Sequence, residues 1–353
     1  MSSILKVDTI NEVTSANGVT VDGLSIKDSK LVTADSVVTA NITADAVTLA
    51  KMASGTDGNL ISYDASGNPV AVATGNDGQV LTSAGAGAPP AFEDAAGGVT
   101  FKEGGTNFTN SLLVGTSSTG TLSTATGNIG VGQTVFAALT SGDNNVAVGR
   151  DSLKCNTTGT ENTAVGNQAL CGNSTGNYNT AVGSFALLDV DAGADNNTAV
   201  GRSSMITLST GDGNTAVGAQ SLRSATTPGN NTAVGFCALY TNTTGASNVA
   251  VGKSALLSNT TGAENVAVGA TALLDNTTGG NNVAIGLEAL QNNTTASGNV
   301  AIGRDSAGAN TTGSSNTAVG HLSLRANTTG TENVAVGVNS LCANTTANSN
   351  TAV

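Results

Sequence analysis

"NVAVGATALLDNTTGGN", residues 265–281, is the stretch whose reading decides the fold. It holds no acid–base pair, no cluster of metal ligands and no aromatic ring. Nearly the same letters then follow: "NVAIGLEALQNNTTASG" from Asn282, "NVAIGRDSAGANTTGSS" from Asn299 and "NTAVGHLSLRANTTGTE" from Asn316. With Asn as position zero, Asn128, Asn145, Asn162 and Asn179 stand 17 residues apart, and one step of 18 leads to Asn197. The step of 17 then holds through Asn214, Asn231, Asn248, Asn265, Asn282, Asn299, Asn316, Asn333 and Asn350. Ser111 opens a degenerate earlier copy, "SLLVG", in the same register. A fixed period kept this long is the signature of a stacked repeat, in which each unit buries its apolar face only against its neighbours.

Composition supports the same reading. Of 353 residues, 46 are Gly and 4 are Pro, only 10% are charged, 3% are aromatic and none is Trp. So few charges and large apolar side chains exclude an ordinary globular core. The abundance of Val, Ala and Thr excludes the usual charge-rich disordered chain. The net charge of −12, with no Lys/Arg cluster, argues against nucleic acid as a partner. No apolar run approaches the length of a membrane-spanning helix, so no membrane insertion is expected. The start, "MSSILKVDTI", lacks the basic and apolar regions of a secretion signal, and synthesis in a cytoplasm is expected. The spacing of Cys155, Cys171, Cys237 and Cys342 fits no zinc or redox motif, and buried, reduced thiols are expected.

Each column of the repeat has a physical meaning. Position one is Thr or Val and position three Val or Ile, so in a strand they share a side, opposite Ala at position two and Gly at position four. The expected core column is position three: Val148, Val165, Val182, Val200, Val217, Val234, Val251, Val268, Ile285, Ile302, Val319 and Val336. A carboxylate at Val217 should then fray the stack. Positions seven and eight read Ala or Ser, then usually Leu, as at Leu153, Leu170, Leu222, Leu273 and Leu324. A second short strand there would set Leu against the Val column. "NTTG" follows as turn chemistry. The bare Ala/Gly face is the expected contact between subunits. Asn145, Asn162, Asn179, Asn197, Asn214, Asn231, Asn248, Asn265, Asn282, Asn299, Asn316 and Asn333 are expected to stack as a hydrogen-bonded ladder. The fold class is therefore all-β: a parallel β-roll or β-solenoid of about 14 coils, roughly 65–70 Å long at one strand spacing per coil. Whether each coil closes within one chain or winds through three stays open.

The unit "N-[TV]-A-[VI]-G-x-x-[AS]-L" resembles the head repeats of trimeric autotransporter adhesins, which implies a left-handed parallel β-roll with three chains to a rod. The secretion signal and membrane barrel of that family are missing from this sequence. The N-terminal third, with "SSILKVDTINEV", "TDGNLISYDASGNPVAVA" and above all "GQVLTSAGAGAPPAFED", is similar to the N-terminal segments of tail fibres of marine, cyanobacterial-type phages. That resemblance implies a homotrimeric virion fibre, made in the host cytoplasm. Its N-terminus would dock on tail or adaptor proteins, and a distal region past Val353 would meet the host receptor.

The first third divides by pattern. Residues 1–32 read as the attachment segment, in which Ile4, Leu5, Lys6, Val7, Asp8 and Thr9 form a strand candidate able to add to a partner's sheet. Residues 33–54 read as a short trimeric coil or an extended connector. Residues 55–98 hold a 20-residue echo, each copy a strand, a Gly turn and a second strand, with a linker into the array at 99–353.

No catalytic residue, metal ligand or cofactor is expected. His321, the one histidine, falls in a varied, often charged column beside the positions of Arg150, Lys253 and Arg304, where a solvent-facing turn is expected. "DVDAGAD", residues 189–195, falls in the 18-residue coil and lacks the spacing of a calcium loop. No acidic pair recurs from coil to coil, as a glycan-cleaving groove would need. Phage tail fibre is the favoured function; a glycan- or ice-binding solenoid using stacked Thr and Asn turns is the rival.

Overall fold

The computed structural model describes residues 108–115, 119–190 and 193–353, with the shorter segments 19–21, 24–27, 30–31, 60–63, 69–72, 79–82, 90–94 and 101–103. The docking strand expected at residues 4–9 and the coil expected over 33–54 lie outside the described residues. The chain divides into two units, 1–76 with 81–93 and 77–80 with 94–353, each described by itself. In the first, Val19–Val21 pairs antiparallel with Leu24–Lys27, which pairs with Lys30–Leu31, and Leu60–Tyr63 pairs antiparallel with Pro69–Val72. A further two-stranded sheet joins Gln79–Thr82 to Ala91–Asp94.

The second unit is a parallel β-solenoid. The described residues contain no helix. Every coil contributes positions one to three as a strand, from Leu112–Val114 and Ile129–Val131 through Val146–Val148 to Val334–Val336 and Thr351–Ala352. These strands pair in parallel, like column on like column: Val146 faces Thr163, Ala147 faces Ala164 and Val148 faces Val165. Phe101–Glu103 pairs antiparallel with Leu112–Val114 and closes that edge of the sheet. Each coil closes within the one chain, so a coil's hydrogen-bonding partner is the next coil of the same chain. The 18-residue step leaves the strands in register, Ala181 facing Ala199, because the extra residue falls between Asn179 and Ala194, whose hydrogen bond spans one residue more than the matching bond from Asn162 to Gly176.

The strand phase is the reverse of the expected one. Ala, not Val, faces the interior: Ala147, Ala164, Ala216 and Ala267 are fully buried. Position three lies outside. Val148, Val165, Val182, Val268, Ile285, Ile302 and Val336 are exposed, and Val200, Val217, Val234, Val251 and Val319 are half-buried between their neighbours in the stack. The reason is volume. The interior of a 17-residue coil is filled by the position-eight side chain, Leu153, Leu170 or Leu273, and by the two Asn columns, which leaves a methyl's width against the strand. The coil of Asn128 makes the point. Phe136 occupies position eight there and the strand carries Gly130, where an added Cβ would lie 2.5 Å from Leu113 Cδ1. One larger ring has been exchanged for one missing methyl, as close packing requires.

Positions seven and eight form no second strand. They belong to a tight turn in which Leu itself is left-handed, with φ of 50° at Leu170 and 52° at Leu273. Left-handed backbone costs about 1–2 kcal/mol for a side-chain-bearing residue. Here it is offset because the flipped N–H reaches the next coil: Leu170 donates to Ala186 O at 3.0 Å and Leu273 to Ala289 O at 3.0 Å. The same flip sinks the isobutyl group into the core. Gly at position four completes the corner: at Gly166, φ is +137° and a Cβ would meet Gly183 O at 2.5 Å. Where position seven is Ser, its hydroxyl bonds a backbone carbonyl, either that Gly, as Ser152 Oγ does to Gly149 O at 2.9 Å, or the strand Ala of the next coil, as Ser306 Oγ does to Ala318 O at 2.9 Å. Ala and Ser therefore interchange there without leaving a buried polar group unpaired.

Candidate functional site: the faces of the repeat stack

The Asn column is interior and continuous. Asn145 Oδ1 accepts from the backbone N–H of Asn162 at 3.0 Å and from Asn162 Nδ2 at 3.1 Å, and Asn162 Nδ2 also donates to Gly176 O at 2.8 Å. Asn179, Asn197, Asn214, Asn231, Asn248, Asn265, Asn282, Asn299, Asn316 and Asn333 repeat the link to the coil before. Each amide thus closes its own coil and joins it to its neighbour.

A second ladder runs through position eleven, the Asn of "NTTG", which sequence reasoning assigned to turn chemistry alone. Asn173 Nδ2 donates to Asn156 Oδ1 at 3.0 Å and Asn276 Nδ2 to Asn259 Oδ1 at 2.8 Å. The ladder is interrupted at Val190, Leu208 and Ala225, all buried, and it resumes at Asn242. The interruption has a visible cost. Asn173 Oδ1 is a buried atom with no hydrogen-bond partner, because the next coil offers Val190 instead of an amide. Position twelve adds a third set of links, with Thr260 Oγ1 donating to Thr277 O at 3.0 Å. The signal for both sets was the 17-residue recurrence itself; what it could not say is that the "NTT" Asn points inward.

Two outer surfaces remain. The sheet face presents positions one and three. Thr163, Thr180, Thr198, Thr215 and Thr232 form one run, followed by Val249, Val266, Val283 and Val300, alongside the Val/Ile column. From Val249 to Ile302 both columns are therefore aliphatic. The expected Ala/Gly contact surface does not exist, since its Ala side is the core. The turn face carries the exposed position-thirteen residues, among them Thr158, Thr244, Thr261 and Thr278.

Charged groups sit at the corners. Asp151 accepts from Thr134 Oγ1 at 2.5 Å and pairs with Lys154 at 3.2 Å. The Thr134 hydrogen bond, followed by Lys154 and Arg150, holds its carboxyl below the ordinary 3.8. Arg325 pairs with Asp305 at 2.6 Å. His321 is exposed beside exposed Arg304. Tyr178 and Phe236 are 53% and 51% exposed but occupy different columns of well-separated coils, so they make no shared platform. Arg223 lies over the Tyr240 ring at 5.6 Å. Among the described residues, no three His, Cys, Asp or Glu side chains gather as a metal site, and no helix is long and apolar enough to cross a membrane. Of the four thiols, Cys237 is buried as expected, Cys171 is half-buried, and Cys155 and Cys342 are exposed.

No protein-family model matches the chain, and no curated protein or solved structure matches it.

Proposed function

We propose that this chain is a structural fibre protein of a phage tail. Its repeat array serves as a rigid spacer, and its N-terminal segment, with residues 4–9, serves as the attachment segment. The observation that carries the reading is the uniformity of the stack. Links through the position-zero Asn column and the strand backbone recur coil after coil, those through position eleven recur on either side of the break at Val190, Leu208 and Ala225, and polar side chains that could bind a ligand are not concentrated in any one coil. Such an array provides length and stiffness, which a spacer between a tail and a receptor-binding end needs. Self-association as a homotrimer belongs to the same reading, with its contact moved to the outward Thr/Val face.

The rival, an ice- or glycan-binding solenoid on stacked turns, loses most of its surface. The position-eleven Asn side chains are inside, and the position-twelve hydroxyls are spent on the neighbouring coil. Position thirteen alone is a single file, not the two-dimensional array an ice plane would need.

Two deletions test the proposal. Removing residues 265–281 takes out one full period, so Asn282 can bond Asn248 as Asn265 did. The fibre should shorten by about 4.8 Å, one strand spacing, and still support adsorption. Removing residues 4–9 should leave the rod intact and abolish its incorporation into particles. Adsorption lost with the one-coil deletion, while fibres still load, would place the receptor site in the array and end the spacer reading.

A further inference from the structure

The four cysteines are not equivalent in the stack. Cys155 is position ten of its coil and Cys171 is position nine of the next, and the turn brings them side by side: the Cys155 N–H donates to the Cys171 carbonyl at 3.1 Å. With standard bond lengths, that contact allows the two Cα atoms to lie roughly 5–6.5 Å apart, which falls within the window of roughly 4.4–6.8 Å for a disulfide. Both side chains lie on the outer surface, Cys155 exposed and Cys171 half-buried. Charge on the Cys155 thiol is felt at Cys171, and both thiols act on the Lys154 ammonium. Neither other thiol has such a neighbour. Cys237 is buried against Gln220 at 3.4 Å, and the position matching Cys342 in the preceding coil is Arg325.

We propose that Cys155 and Cys171 are a thiol pair that closes into a coil-to-coil disulfide when the protein meets a small-molecule disulfide such as oxidised glutathione. The Cys155 thiolate attacks one glutathione sulfur, the glutathione S–S bond breaks, and one glutathione thiolate leaves. The Cys171 sulfur, after losing its proton, attacks the Cys155 sulfur of the mixed disulfide and expels the second glutathione. Two protein thiols are oxidised to one disulfide, one oxidised glutathione is reduced to two thiols, and the two protons pass to the departing thiolates. Burial pushes the Cys171 thiol up to about 11, with Cys155, Asp151 and Asp189 adding to the rise and Lys154 opposing it. Closure of the mixed disulfide, which needs the Cys171 thiolate, therefore accelerates as pH rises. The bond would tie two consecutive coils near the N-terminal end of the array, where the preceding copies are degenerate. It would form only once the fibre leaves a reducing cytoplasm.

The test uses the full chain, reduced and then equilibrated with excess oxidised glutathione at pH 8. Thiol counting after unfolding should fall from four to two, and mass should drop by two hydrogens. A protease that cuts after Glu161 separates the two cysteines in sequence, so the two peptides should stay joined until reductant is added. Cys155→Ser and Cys171→Ser should each abolish the joined pair while leaving the wild-type circular dichroism. Four free thiols after oxidation, a persistent glutathione adduct on Cys155, or a bond between two chains on a non-reducing gel would each overturn the proposal. The wild-type measurement decides it even if a variant folds poorly.

Discussion

At the scale of single residues, the fold is governed by how little room a 17-residue coil encloses. Ala at position two is the only side chain besides Gly that fits opposite Leu in the regular coils, and it sits at 0% exposure in every one of them from Ala147 to Ala335. Ala267→Leu should therefore destabilise the stack. Three extra carbons have no cavity to enter, and overpacking costs about 1–3 kcal/mol. Urea unfolding followed by circular dichroism should show the loss; an unchanged midpoint would mean the interior can widen. A second residue-scale prediction concerns acid. Asp151 has a depressed carboxyl pKa in the fold, first through Thr134 and then through Lys154 and Arg150. A depressed carboxyl stabilises the fold above its unfolded value and loses that contribution as pH falls through its folded value. Asp151→Asn should thus melt earlier than wild type at pH 6, and the gap should close as pH falls below 3.8. A gap that persists at pH 2 would point to packing instead of charge.

At the scale of the coil, the repeat and its stacking were legible in the sequence, whereas the buried face and the conformation of positions seven and eight were not. The period, a short strand, the position-zero Asn ladder and the parallel stacking all follow from a fixed spacing, because like residues must lie over like; that this Asn is buried comes from the structure. The face was not legible. Period-two alternation says that Ala and Val oppose each other but not which one is inside. The usual preference for burying the larger residue gave the wrong answer, because it takes no account of the volume already claimed by Leu170 or Leu273. The left-handed Leu was hidden for a related reason. No local rule favours it, and only the hydrogen bond to a coil 17 residues away makes it affordable. The broken Asn column shows how a coil depends on its neighbour. Val190→Asn would give Asn173 Oδ1 its missing donor, but the new Oδ1 would then face Leu208. The orphan moves one coil along and does not disappear. The variant should gain nothing, and should lose the roughly 1–2 kcal/mol of Val burial. Thermal melting checks this, and a clear rise in Tm would mean that solvent reaches the new amide.

At the scale of the whole molecule, the reversed strand phase changes where copies of this chain should meet. The outward face carries Val and Ile in register over successive coils, and from Val249 to Ile302 both columns are aliphatic. A row of exposed β-branched side chains on a flat parallel sheet is the kind of surface that monomers avoid leaving open. A homotrimer packed through it would bury the row, whereas the turn face is polar and the Ala face is already inside. This makes a substitution at position three diagnostic. Val268 is 36% exposed in the single chain, so Val268→Asp places its carboxylate in water and should leave the coil folded, with far-ultraviolet circular dichroism unchanged. In a trimer the same carboxylate would be desolvated against two partners, at a cost of several kcal/mol for each unpaired charge. Light scattering should then report three chain masses, each of 34.2 kDa, for wild type and a clear shift toward one for the variant. Thr158→Asp, on the turn face, should remain trimeric. If Val268→Asp unfolds the stack as Ala267→Leu should, position three carries the core after all. If wild type is a monomer at micromolar concentration, the aliphatic face is open and the trimeric fibre is ruled out.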